Sequence, residues 1–98
     1  MRRRLRALCP GITLSAFEAV LDLASVAHLR HLPPSIAIQQ ALTAHVRHAY
    51  TNYDQLLSDG YDPQSARHFV LDEMLLVLES WNCRTGSLAL GNSDMDTP

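Results

Sequence analysis

Apolar residues that return every three or four positions, along three stretches separated by proline and glycine, constrain this chain more than any other feature. The longest stretch carries Ile38, Leu42, Val46, Ala49, Tyr53, Leu56 and Leu57. A period near 3.6 gathers these residues on one side of an α-helix, whereas a strand, with a period of two, scatters them over both faces. Phe17, Val20, Ala24 and Ala27 form a second stripe, flanked by Leu21 and Leu23 and opposed by Glu18, Asp22 and Ser25. Ala66, Val70, Met74, Val77 and Trp81 form the third.

The breakers between the stripes set their limits. Cys9-Pro10-Gly11 closes a short helix over 2–8, and Pro33-Pro34 and Asp59-Gly60 stop the next two. Starts are legible as well. Ser15-Ala16-Phe17-Glu18 fits a capping box, with Thr13 the other candidate start, and Asp62-Pro63 reads as a cap followed by a first-turn proline. Gly60 suits the left-handed position just past a helix end. The pattern predicts helices over 14–31, 35–58 and 63–81 and no β-sheet. Only 4 of the 98 residues are glycine, which agrees with helix.

A chain of 98 residues makes one domain, and 47% apolar content is enough for one core. We therefore expect an all-α fold, a small bundle of three to four helices over residues 1–83. From Arg84 onward the periodicity ends and breakers accumulate, so a disordered tail is expected over 84–98.

The formal charge of −2 gives the whole molecule no basic field of the kind that announces nucleic acid. All 8 basic residues are arginine, and four of them, Arg2, Arg3, Arg4 and Arg6, crowd the amino terminus. The start has the charge of a signal peptide without its apolar run, since Arg6, Pro10, Glu18 and Asp22 interrupt it. No stretch approaches the ~20 apolar residues of a membrane span. Cys9 and Cys83 show no metal or redox spacing and read as two buried or idle thiols in a reducing compartment. The default location is the cytoplasm.

Ala44-His45-Val46-Arg47-His48, then Thr51, then Tyr53-Asp54 and Leu56-Leu57 form a distinctive run. It resembles an uncharacterised bacterial and fungal family, the domain of unknown function 2293. The likeness extends to Leu8-Cys9-Pro10-Gly11-Ile12, Ala66-Arg67 and Trp81. Where members of that family carry a Gly-Ser-Gly-Arg-like loop, this chain has Leu29-Arg30-His31-Leu32-Pro33-Pro34. The resemblance implies a fold and a set of positions, without an activity or a cofactor.

On a helix continuous through 35–58, two polar seams flank the apolar stripe. His45 lies on one edge, with Asn52 and His48 beyond it, while Arg47, Tyr50 and Asp54 form the other seam. In a structural role His45, Tyr53 and Asp54 belong to the packing of the domain, with His45 bonded at the core edge and Asp54 holding Arg47. In a binding role Arg47, His48, Tyr50 and Thr51 face solvent and offer donors to phosphate or to an acidic partner, joined by the terminal arginines into a local basic patch.

The repeated His-x-Arg-His of His28–His31 and His45–His48 suggests a four-histidine metal site, but across an antiparallel pair the two sets are ~9 Å apart, and metal–nitrogen bonds are ~2 Å. No metal is implied. A small histidine- or metal-dependent hydrolase of phosphate esters, with His45 or His48 as base and Asp54 as its orienter, is the alternative reading. It suffers from Asp54 lying on the seam opposite His48.

The third long helix points to association. Leu71, Leu75 and Leu76 lie outside its main stripe and offer a face for a homodimer or a protein partner. The leading expectation is thus a non-enzymatic interaction module that binds itself, a protein or nucleic acid, with no membrane role.

Overall fold

In the computed structural model, which describes residues 2–26 and 30–84, helix α1 covers Arg2–Leu8 and buries Leu5 completely. Helix α2 covers Leu14–Ala24 and is capped by Thr13, whose hydroxyl oxygen accepts the Ala16 N–H at 3.2 Å. The capping box at Ser15 does not form. Its acid, Glu18, reaches instead to Arg2 at 2.8 Å.

The predicted run of this helix to His31 is too long. Ser25 turns its hydroxyl back onto the Leu21 carbonyl at 3.0 Å, and its N–H is shared between the Asp22 and Leu23 carbonyls, which tightens and ends the last turn. Residues 27–29 of that expected helix, His28 among them, lie outside the described residues.

The predicted helix over 35–58 is two helices. Helix α3 covers Pro34–Tyr50 and helix α4 covers Tyr53–Ser58, with a sharp break at Thr51 and Asn52. Helix α5, Pro63–Ser80, begins as its sequence predicts, with the Asp62 carboxylate accepting the Ser65 N–H at 2.9 Å and Pro63 in the first turn. That hydrogen bond holds the Asp62 carboxyl below the usual aspartate range. Among the described residues there is no strand.

Helix α3 is the centre of the bundle, packed between α2 and α5, while α4 folds against α5. The core interleaves Ala16, Val20 and Ala24 of α2, Ile38, Leu42 and Val46 of α3, and Val70, Met74 and Leu78 of α5. Each large aliphatic side chain hidden this way contributes about 1.5–3 kcal/mol relative to exposure. No helix among the described residues is long and apolar enough to cross a membrane.

The two ends of the described bundle are tied together more firmly than their sequence suggests. Asn82 takes a left-handed backbone (φ 57°), and the amides of Asn82 and Cys83 close back onto Glu79 and Leu78 at 3.0 and 2.9 Å. This turn carries Cys83 across to the end of α1, where it forms a disulfide with Cys9 over a sequence separation of 74. The reading of Cys9 and Cys83 as free thiols is therefore corrected. Their spacing along the chain holds no signal because the bundle, not the local sequence, brings the two ends together.

Backbone contacts reinforce the tie. The Gly11 N–H donates to the Trp81 carbonyl at 2.8 Å, an approach so close that a Cβ on residue 11 would stand 3.1 Å from that oxygen. The Arg84 N–H donates to the Leu8 carbonyl at 3.0 Å, so residue 84 belongs to the fold; the rest of the predicted tail, 85–98, lies outside the described residues.

Candidate functional site

The break between α3 and α4 is where the His-Arg-His run meets Tyr53 and Asp54. Thr51 makes it. Its backbone is extended (φ −133°, ψ 174°), its hydroxyl donates to the Arg47 carbonyl, and its oxygen accepts the Tyr53 N–H at 3.2 Å. One side chain thus satisfies a carbonyl left over at the end of α3 and an amide left over at the start of α4. The Thr51 hydroxyl is spent inside the fold and is not an open donor for a ligand.

The break redirects Asp54. Two seams that a continuous helix would hold apart are brought together, and His48 Nδ1 stands 2.7 Å from Asp54 Oδ1. An N–H on Nδ1 donates to the carboxylate, which leaves Nε2 as the outward nitrogen. Both side chains are largely open to water, at 49% and 65% exposure, so the pair itself adds little stability.

Beneath them Tyr53 is buried. The His48 ring meets it edge-on at 5.2 Å, and the Arg47 guanidinium lies 5.5 Å from its centroid. Arg47 is half-buried rather than solvent-facing, with its guanidinium over this ring. His45 turns the other way, edge-on to Tyr50, which in turn meets the buried Trp81 edge-on at 5.4 Å. Burial lowers the pKa of His45 below its ordinary 6.5 and so favours the neutral ring. Of the four residues expected to bind, Arg47, His48, Tyr50 and Thr51, only His48 and Tyr50 are exposed.

The terminal arginines do not extend this corner into one basic surface. Arg4 meets α3 beside Ser35, Ile38 and Gln39, eight residues or about 12 Å along the helix from Arg47. Among the described residues no group of three or more His, Cys, Asp and Glu side chains is placed to hold a metal.

The family described as "Uncharacterized conserved protein (DUF2293)" matches residues 4–82. The chain belongs to this family. Comparison with curated proteins finds no match, and comparison with solved structures finds none either. The DUF2293 match runs from α1 through Asn82, so it takes in the whole bundle, the Thr51 corner and all of α5.

A second feature of this DUF2293 domain lies on α5. Phe69 and Leu76, two turns apart on one face, are 59% and 67% exposed. Tyr61 lies edge-on to Phe69 at 5.4 Å and widens the apolar surface. Asp72, Glu73 and Glu79 are exposed around it. Of the three leucines singled out in the sequence, Leu76 is open, whereas Leu71 and Leu75 are half-buried. Tyr61 escaped the sequence reading because it precedes the helix and belongs to no periodic stripe.

Removing the Thr51 hydroxyl tests the corner. Thr51→Val keeps a side chain that favours the extended backbone, yet removes the hydroxyl that bonds the Tyr53 amide and the Arg47 carbonyl. It should lower stability by about 1–3 kcal/mol in thermal or urea melts. A melt superposable on the parent's would mean that packing alone sets the break.

Proposed function

We propose that this DUF2293 domain is a non-enzymatic interaction module that docks a protein partner on the outward face of α5. The observation that carries this reading is the exposure of Phe69 and Leu76, aligned on one face and extended by Tyr61. Single exposed apolar residues are ordinary, but Phe69 with Tyr61 against it and Leu76 on the same face, with acids between and beside them, make a surface of the kind that partners cover.

The acids choose between partners. If two copies met through this face, Asp72, Glu73 and Glu79 of each would confront the same charges on the other. A partner segment that mixes apolar and basic residues meets no such repulsion. The His-Arg-His corner, in this reading, is architecture that seats α4 against α5. The cytoplasm is the default location from sequence, but the Cys9–Cys83 disulfide favours a compartment that is oxidising.

The 2.7 Å His48–Asp54 contact favours a second reading, the histidine-dependent hydrolase of phosphate esters, because a carboxylate on Nδ1 orients Nε2 as a base. Against it, His48 and Asp54 stand on open surface, and His45 faces Tyr50 instead of joining them.

Leu76→Asp and Phe69→Ala test the docking face. Both sites are exposed, so both variants should melt within about 0.5 kcal/mol of the parent. Sedimentation at tens of micromolar should find the parent monomeric. Partner proteins retained by the immobilised parent should be lost from both variants, and retention should weaken as salt rises. Identical retention by parent and variants would remove this face from the function.

A further inference from the structure

The arginines at the two chain ends differ sharply in what they meet. Arg2 is paired with Glu18, and Arg2 and Arg6 both stack on the Phe17 ring, at 5.1 and 4.4 Å from its centroid. Among the described residues Arg4 and Arg84 have no such partner. They line a groove of about 250 Å³ between α1 and α3, together with Ala7, Leu8, Ser35, Ile38 and Gln39. No carboxylate is among the lining residues, and neither arginine has an ion pair among the described residues.

The two arginines come from distant parts of the chain, and the backbone of each is held beside the groove. Arg84 follows Cys83, whose sulfur is bonded to Cys9, and its own amide donates to the Leu8 carbonyl at 3.0 Å. Arg4 sits one turn ahead of Leu8 on α1. Placing two positive charges along one groove without a counter-charge is unfavourable, and a bound oxyanion removes the repulsion while offering each arginine a bidentate partner.

The rest of the lining describes the ligand. Ser35 and Gln39, at i and i+4 on α3, bring a hydroxyl and an amide to the same groove. Ala7, Leu8 and Ile38 are apolar and fit a hydrocarbon stem. The volume falls below the ~300–1,000 Å³ of sites for drug-sized ligands, so it suits one anionic head on a short stem. We propose that this groove binds an organic oxyanion, a phosphate or carboxylate on a small apolar group, clamped between Arg4 and Arg84. The site is separate from the α5 docking face and does not depend on it.

Amide chemical-shift titrations of the whole chain at fixed ionic strength test this, with phenyl phosphate, benzoate and inorganic phosphate as probes. At least one of the two aromatic probes should give saturable shifts at Leu8, Ser35, Gln39 and Arg84, and the tighter of them identifies the head group as phosphate or carboxylate. Inorganic phosphate should bind more weakly than phenyl phosphate, because it has no stem. Arg4→Gln and Arg84→Gln should each weaken binding by roughly tenfold or more, the loss of a charged hydrogen-bond donor. Arg3→Gln is the control, since Arg3 lines the neighbouring hollow with Arg2, Arg6 and Phe17. The proposal is overturned by an absence of saturable shifts, by equal weakening with Arg3→Gln, which would reveal a diffuse field, or by inorganic phosphate binding as tightly as phenyl phosphate.

Discussion

Removing the Cys9–Cys83 crosslink should lower stability by about 2–4 kcal/mol. The closed loop sets the size. With a sequence separation of 74 the bond encloses nearly the whole bundle, so breaking it releases much of the chain entropy that the bond withholds from the unfolded state. For a domain of this size the loss corresponds to roughly 8 °C or more in melting temperature. Urea melts of the oxidised protein, the reduced protein and the Cys9→Ala/Cys83→Ala double variant check it. Alanine is the better replacement for Cys9, which is fully buried, because serine would hide a hydroxyl there without a partner. Oxidised and reduced midpoints that coincide would show that the contacts of Gly11 and Arg84 hold the ends by themselves. The double variant separates loss of the bond from effects of the reductant.

Trp81→Ala should cost about 3–5 kcal/mol, the largest effect of any single substitution proposed for this domain. Trp81 is the only tryptophan, is 5% exposed, and closes α5. Its backbone carbonyl receives the Gly11 N–H, and its ring supports Tyr50 at the end of α3. Removing the indole opens a cavity at the end of α5, beside Tyr50 of α3. A small domain has about 5–15 kcal/mol in all, so the variant should stand near the edge of folding and should fall over it once the disulfide is reduced. Circular dichroism is the readout, since the fluorophore leaves with the mutation. Trp81→Phe, which keeps an aromatic ring, should recover more than half of the loss. A Trp81→Ala variant that melts like the parent would show that the ring is peripheral to the packing.

The two predictions concern the same place, and it is the place where sequence reading was weakest. Pro33-Pro34, Pro63 and Gly60 act through their own backbones, and the Asp62 carboxylate reaches only three residues on, so their effect on helix limits could be read directly, and α5 begins where Asp62 and Pro63 put it. Thr51 and Asn52 carried the signal for the break in the long helix, since both side chains compete for nearby backbone groups. The unbroken apolar stripe from Ile38 to Leu57 masked it, because a short break that returns the chain to the same core preserves the stripe. The same error hid the His48–Asp54 contact, which a continuous helix forbids.

Local pattern by itself determined that this chain is helical, which residues form most of the inward face of each long helix, and where most helices start and stop; Ala49, on the expected stripe, is exposed. These follow from a 3.6-residue period and from the backbone limits of proline and glycine, all of which act within a few residues. Only the tertiary structure decided that Cys9 meets Cys83, that Arg4 and Arg84 share a groove, and that Phe69 and Leu76 are left uncovered. Each depends on the angle and offset at which one helix crosses another. Those are set by how side chains from distant parts of the chain fill a common core, and no window of neighbouring residues contains that information.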